Sequence, residues 1–334
     1  MKLIIQIPCY NEAQTLPATL AEIPQHIPEV DSFAVLVIDD GSQDNTAQVA
    51  RDLGVAHIVR HPYRRGLAAA FQTGIDTALM LGADIIVNTD GDNQYPQADI
   101  PRLIAPLLAN EADIVIGDRQ PAQNQEFSLL KRWLQSWGSW VVRLASETQV
   151  PDATSGFRAF SREAALQLNL FTRYTYTLEM IIQAGKKGLR VSHIPIRTNA
   201  KIRESRLMKS EWDYVKRSGA TIVRLYALYE PLRTFGLLSL PFILVGAFLL
   251  ARFLYFYLNG EALGIARFMQ SIVLGTTALI LGLLIFLFGL LADLVGSNRR
   301  LLEDVLYRLK RLEIAQVLET NETSHDPSSL GPKP

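Results

Sequence analysis

Two aspartates separated by one glycine, Asp90-Gly91-Asp92, sit in the run Asn88-Thr89-Asp90-Gly91-Asp92-Asn93-Gln94-Tyr95-Pro96, directly after the apolar stretch Ile85 to Val87. Side chains two residues apart in an extended chain point the same way, so the two carboxylates share a face, and Gly91 leaves the backbone open to a ligand. Paired hard oxygen ligands suit Mg2+ or Mn2+, which take one or two protein carboxylates and complete their shells with water and substrate phosphates. Taken alone, such a pair is at least as readily a polar turn capping a strand.

What reverses those odds is the rest of the chain. Apolar runs alternate with amphipathic ones: strands are expected at Leu3–Pro8, Ala34–Ile38, His57–Arg60, Ile85–Asn88 and Ile114–Ile116. Helices are expected at Ala13–Ile23, Thr46–Leu53, Gly66–Leu81 and Gln97–Leu108. Strands and helices joined by short connections imply a parallel sheet covered on both faces, whose ligands lie outside the carboxyl ends of the strands. Those ends carry Pro8-Cys9-Tyr10-Asn11-Glu12, Asp39-Asp40-Gly41-Ser42, Asp90-Gly91-Asp92 and Gly117-Asp118-Arg119. Any one of these could be turn and capping chemistry, but four on one sheet edge describe a cleft. Neither Gly-X-Gly-X-X-Gly after the first strand nor Gly-Lys-Ser/Thr occurs, which removes the main support for dinucleotide and P-loop sites.

Bulk composition sharpens the picture. With 33 basic and 33 acidic residues the chain has no electrostatic footprint for nucleic acid. Cys9 is the only cysteine, which excludes an internal disulfide and a cysteine zinc site, and its apolar neighbours make it a small core residue. Phe235–Tyr257 and Phe268–Ala292 are each long and apolar enough to cross a bilayer. Arg252, near the end of the first, can snorkel to the headgroups. Lys209, Lys216, Arg217, Arg224 and Arg233 precede the first span and Arg299, Arg300, Arg308, Lys310 and Arg311 follow the second, which places both termini in the cytoplasm. Phe127–Ser146, with Trp133, Trp137 and Trp140, and Met208–Leu232, with Trp212, Tyr226 and Tyr229, mix aromatic and basic residues as interfacial helices do, or as core-packing amphipathic helices would. Arg299–Leu318 reads as a further helix that packs on the soluble half, lies on the membrane, or pairs with another copy; the polar tail from Asn321 reads as disordered.

These motifs, with Asp152-Ala153-Thr154-Ser155-Gly156-Phe157-Arg158, resemble the inverting family 2 glycosyltransferases of GT-A fold. More narrowly they resemble polyprenyl-phosphate glycosyltransferases: dolichyl-phosphate mannose synthases and bacterial bactoprenol glucosyltransferases, to which the two C-terminal spans are also similar. The resemblance implies an α/β, Rossmann-like, mostly parallel catalytic domain over 1–206, a juxtamembrane helix over 207–233, two transmembrane helices over 234–293, and a cytoplasmic helix and tail over 294–334. It implies that Pro8, Tyr10, Glu12, Asp39 and Asp40, with Asp90, Gly91 and Asp92, hold the nucleotide sugar. Asp90, Asp92 and Gln94 would meet Mg2+ or Mn2+; Arg119, Arg132 and Arg203 would grip the acceptor phosphate; and Asp152 would lie beside the sugar. Asp92, Asp152 and Arg119 are the expected catalytic residues. Arg203-Glu204-Ser205-Arg206 lacks the glycine of the closing loop found in relatives. The expected reaction takes one sugar, UDP-glucose favoured, to a polyprenyl phosphate such as undecaprenyl phosphate at the bacterial inner membrane, in a chain that could be a homo-oligomer.

In such a transfer one anion attacks a carbon whose leaving group is another, so charge neutralisation is the main task. The second pKa of a phosphate monoester is about 6, so the nucleophile is already ionised at neutral pH and a strong base is hardly needed. Asp152 is therefore expected to orient the sugar or its neighbours first and to move a proton second. Two rivals remain: a processive polysaccharide synthase, against which stand the missing Gln-X-X-Arg-Trp and the small number of spans, and a nucleotide-sugar-binding scaffold, against which stands the full Asp90, Asp92 and Gln94 set.

Overall fold

The computed structural model describes residues 1–120, 143, 146, 148, 150–170, 176–199, 227, 229–259 and 265–324, with the backbone alone at 265–268 and 321–324. The expectations placed on Arg132, Arg203, Arg206, the tryptophans of Phe127–Ser146, the segment 207–226 and the tail beyond Ser324 lie outside the described residues. The described chain forms two units: Met1–Ile222 with Val305–Pro334, and Val223–Asp304.

In the first unit the order is β1 (Lys2–Cys9), α1 (Leu16–Ala21), β2 (Ser32–Asp39), α2 (Thr46–Asp52), β3 (His57–Arg60), α3 (Leu67–Met80) and β4 (Ile85–Asn88). A 3₁₀ turn at Gln97–Asp99 leads into α4 (Ile100–Leu108), followed by β5 (Ile114–Asp118), β6 (Arg158–Ser161), α5 (Arg162–Gln167), α6 (Tyr176–Lys186) and β7 (Val191–Pro195). The seven strands make one sheet in the order β3-β2-β1-β4-β6-β5-β7. All neighbours are parallel except β6, which runs antiparallel to both β4 and β5.

The sheet is buried on both faces. Leu3, Ile5, Ile7, Val87 and Val115 join Leu16, Ile100, Leu103 and Ile104 in one core, while α3 packs across β1 and β2 on the other side. There Phe71 stacks on Tyr176 at 4.1 Å and meets Phe160 edge-on at 5.8 Å. Burial on both faces explains the near-continuous apolar runs of β1, β4 and β5.

The sheet is mostly parallel, as expected, but its last two strands were not read from the sequence: β6 enters reversed, and Arg158, its buried first residue, masks it. The edge strand β7 is half-exposed and polar at Ser192 and His193, so its pattern is equally weak. Finally, the second span and the C-terminal helix are a single element, α8 (Ile265–Ser324), which also carries the first residues of the expected disordered tail. No proline interrupts it; just beyond the weak helix formers Gly296, Ser297 and Asn298, Arg299 pairs with Glu303 at 3.4 Å and stacks on Tyr229 at 4.1 Å.

In the second unit α7 (Pro231–Leu258) packs against the first half of α8, and both are long and apolar enough to cross a membrane. Their contact is lined with glycine: a Cβ on Gly246 would lie 2.7 Å from the Leu279 amide, one on Gly282 2.7 Å from Ile243, and one on Gly289 2.8 Å from Phe235. Small residues let apolar helices approach where no hydrophobic force between them operates. The outward faces expose Leu237, Phe248, Leu254, Leu274, Phe288 and Leu291.

Candidate active site

The carboxyl ends of β1, β2, β4 and β5 and the amino end of the reversed β6 fall on one sheet edge. Contacts run along that edge strand by strand. After β2, Gly41 adopts φ +69°, and a Cβ there would lie 2.6 Å from the Tyr63 carbonyl carbon, so the loop after β3 crosses directly over it. The Ser42 hydroxyl accepts from the Asn11 amide at 2.9 Å, joining β1 to β2. A Cβ on Gly91 would lie 3.0 Å from Cys9 Sγ and 3.4 Å from Glu12 Cγ, joining β4 to β1. One on Gly156 would lie 2.9 Å from Asp90 Oδ2, joining β6 to β4.

The reversal of β6 delivers the loop 152–157 to this edge. Arg119, at the end of β5, meets Asp152 there: Nε donates to Oδ2 at 2.7 Å and Nη2 to Oδ1 at 3.0 Å, while Nη2 also donates to Thr154 Oγ1 at 2.7 Å. Asp152 is fully buried. The loop is fastened from beneath by Arg158, itself fully buried, which donates to the carbonyls of Ser155 at 2.7 Å, Ala153 at 2.9 Å and Thr177 at 3.0 Å. Burial lowers the Arg158 pKa to about 10, which leaves it a cation at neutral pH. Gly156 is held on both sides, its amide donating to Tyr95 Oη at 2.8 Å and its carbonyl accepting from Asn88 Nδ2 at 2.7 Å.

Asp90, Asp92 and Gln94 alternate with the buried Gly91, Asn93 and Tyr95, so all three keep partial access to the cleft. Asp92 Oδ1 accepts from the Gln94 amide at 3.1 Å. Among the described residues no hydrogen-bond donor meets the Asp90 carboxylate. Burial, and then the charge of Asp92, push its pKa well above the ordinary carboxylate range. Two carboxylates in mutual repulsion, one without a donor, form a site that a cation would relieve. Among the described residues no three His, Cys, Asp or Glu side chains cluster as metal ligands. Two carboxylates and an amide still fit a hard divalent ion, which keeps water and phosphate ligands.

Residues 4–168 match the glycosyl transferase family 2 profile. The chain is 30% identical over 207 residues to the undecaprenyl-phosphate mannosyltransferase of Micrococcus luteus, covering 59% of this chain and 83% of that one. This chain belongs to glycosyl transferase family 2. It is also 29% identical over 213 residues to the UDP-N-acetylglucosamine–dolichyl-phosphate N-acetylglucosaminyltransferase of Methanococcus voltae, covering 58% and 83% of the two chains. Among solved structures, glucosyl-3-phosphoglycerate synthase from Mycobacterium tuberculosis, crystallised with Mn2+ and UDP-glucose, aligns with a TM-score of 0.52 at 22% identity over 68% of this chain and 78% of that one. That likeness is one of fold and identifies the sheet as GT-A.

Within this family 2 glycosyltransferase, Asp39 and Asp40 part company. Asp39 Oδ1 accepts from the Ser42 amide at 2.8 Å, while Oδ2 lies 3.1 Å from Arg60 Nε without a hydrogen bond. Both Asp40 oxygens are engaged: Oδ1 with His61 Nδ1 and the Arg65 amide, Oδ2 with the Gly66 amide, each at 2.8 Å. Asp40 thus fastens the loop 61–66 to the head of α3 rather than facing the cleft expected for it. Glu12 accepts from Thr15 Oγ1 at 2.7 Å, and the Arg64 guanidinium lies 4.2 Å over the Tyr10 ring. Pro8, the last residue but one of β1, lies in register with Ile38.

Sequence reasoning gave no role to Asn88, Arg64, Thr154 or Arg158. Asn88 accepts from Gln6 Nε2 at 2.9 Å while donating to Gly156, a polar link inside an otherwise apolar sheet. A Gln inside one apolar strand and an Asn at the end of its neighbour were the available signal. Burial works to raise the Asp152 pKa, but the charge and hydrogen bonds of Arg119, with the bonds from Thr154, outweigh it and hold the group below the ordinary carboxylate range.

Proposed function

We propose that this chain transfers a single sugar from a nucleotide diphosphate to a polyprenyl phosphate carrier, with inversion at the anomeric carbon. The observation that carries the reading is the occurrence, on one sheet edge, of the Asp90 carboxylate, which no hydrogen-bond donor meets among the described residues, and the Arg119–Asp152 clamp two strands away. Such an edge suits two anions: a diphosphate on the acidic side and an acceptor phosphate on the basic side. The names of the relatives supply the acceptor class, and α7 with α8 would keep the enzyme beside a carrier that never leaves the bilayer.

In this reading Asp39, with Pro8, Tyr10 and Glu12, receives the base and ribose, and Asp40 holds the loop that closes that end. Asp90, Asp92 and Gln94 hold Mg2+ or Mn2+, with Gly91 leaving room for the diphosphate. The ion, when bound, stabilises charge on the departing nucleotide. Arg119, aimed by Asp152, neutralises the acceptor phosphate and directs its oxygen, helped by Arg132 and Arg203. That oxygen forms the new bond to the anomeric carbon as the bond to the diphosphate breaks. From an α-linked donor the product is a β-linked polyprenyl phosphosugar.

The finer assignment is UDP-glucose as donor and undecaprenyl phosphate as acceptor, at a bacterial inner membrane with both termini cytoplasmic. It rests on the two-span arrangement; the relatives named above carry mannose and N-acetylglucosamine in their names, so the donor is the first thing to measure. Purified chain incubated with polyprenyl phosphate, Mg2+ and each labelled nucleotide sugar should move label into an organic-soluble product carrying one sugar. A long polymer would identify a processive synthase, and donor binding without transfer would identify a scaffold.

A further inference from the structure

Beyond Val305, α8 has two faces with different fates. One is taken by the chain's own catalytic unit: Tyr307 Oη donates to Glu163 at 2.7 Å, Lys310 Nζ bonds Asp76 at 3.0 Å, Ile314 is buried, and Leu318 Cδ2 would lie 3.2 Å from a Cβ on Gly82. At about 100° per residue, positions 307, 310, 314 and 318 share one side of the helix. The opposite side carries Leu302, Val305, Leu309 and Leu312, exposed by 69%, 51%, 57% and 68%. Steps of three, four and three residues are the a and d positions of a heptad, and no polar residue interrupts them.

We infer that this stripe is the seam of a parallel helix pair between two copies of this chain. With Leu302 and Leu309 at a and Val305 and Leu312 at d, the flanking g and e positions are Leu301 with Leu306 and Arg308 with Glu313, all exposed. In a parallel pair, position g of one helix meets position e of the next heptad on the other. Leu301 then meets Leu306 of the second copy and Arg308 meets Glu313, twice over by symmetry. The charge pattern is therefore complementary to itself. The same apolar spans inserted in the same sense give both copies a common direction, which makes the pairing parallel. Lipid would accept the same apolar stripe, but it offers no charges placed to match both Arg308 and Glu313.

The test uses the full chain in membranes. Cys9 is buried, so a cysteine introduced on α8 is the reactive one. Leu309→Cys should form a disulfide-linked dimer under mild oxidation, and Asp304→Cys, on the exposed c position, should not. Differently tagged R308E and E313R chains, each self-repelling, should form mixed dimers well beyond the random share when co-expressed. Equal cross-linking at both positions, random assortment of the charge variants, or a Leu309 probe quenched by lipid-borne quenchers without any cross-link would each overturn the inference. So would a chain that captures only a different protein on this face.

Discussion

Asp152 receives Arg119 in a two-pronged pair, Nε to Oδ2 at 2.7 Å and Nη2 to Oδ1 at 3.0 Å, with Thr154 closing the triangle. The pair is nearly dry, and it joins the end of one strand to the approach of another that runs the opposite way. A carboxylate held this firmly ionised is a poor base and a good anchor.

Breaking the pair from either side should give unequal results. Arg119→Gln leaves Asp152 buried without its cation, and should cost about 3 kcal/mol in thermal unfolding as well as transfer activity. Asp152→Asn should leave a measurable rate, with a pH profile that inflects near the acceptor's second ionisation, at about 6. Because the folded pKa of Asp152 is depressed, its stabilisation is complete above its unfolded value of about 3.9 and is lost only as the pH falls through the lower folded value. Unfolding followed between pH 6 and 8 should show no pH dependence arising from it. Equal and total loss of transfer in both variants would make Asp152 an obligatory base.

Asp90 should show the reverse balance of stability and function. Its charge is opposed by burial and by Asp92, so Asp90→Asn removes a repulsion while removing a cation ligand. Chelated protein carrying the substitution should unfold a few degrees higher, a gain on the order of 1 kcal/mol, and should transfer nothing. A lower midpoint would show that the carboxylate stabilises the fold.

Gly156 sets the space above Asp90. A methyl there would sit 2.9 Å from Asp90 Oδ2, and the glycine's amide and carbonyl are both fixed by Tyr95 and Asn88. The aspartate is then the group that must shift. Gly156→Ala should lower turnover by roughly 10²-fold, since displacements near 1 Å have that effect, and should raise the Mg2+ concentration needed for half-maximal rate. Unchanged Mg2+ dependence would place the cation elsewhere.

The C-terminal half of α8 should contribute to the stability of the catalytic unit. Ile314 is 5% exposed in the packing between α8 and that unit. Ile314→Ala should cost about 2 kcal/mol in denaturant unfolding of the catalytic unit, whereas Leu312→Ala, on the exposed side, should cost that unit little.

The first five strands and the four polar clusters were legible because a sheet buried on both faces writes itself as short apolar runs, each followed by the residues it presents. The last two strands were not. Arg158 is the buried first residue of β6, and a residue kept for three carbonyls, two of them in the loop from Ala153 to Ser155, looks like a surface residue in sequence. Asp40 shows the converse: beside Asp39 in a polar turn it has the composition of a ligand contact, yet its partners are the amides of Arg65 and Gly66, distant in sequence and invisible to local pattern. The continuity of α8 was hidden by Gly296, Ser297 and Asn298, whose low helix propensity reads as a break.

The most direct test is transfer itself, measured with labelled UDP-glucose, GDP-mannose and UDP-N-acetylglucosamine, polyprenyl phosphate, and Mg2+ added to or chelated from the full chain. One donor should yield a lipid carrying one sugar, only with the cation present and not with Asp90→Asn. Undiminished product after chelation, or no affinity for any activated sugar, would contradict a cation-assisted transfer at the Asp90 and Asp92 edge.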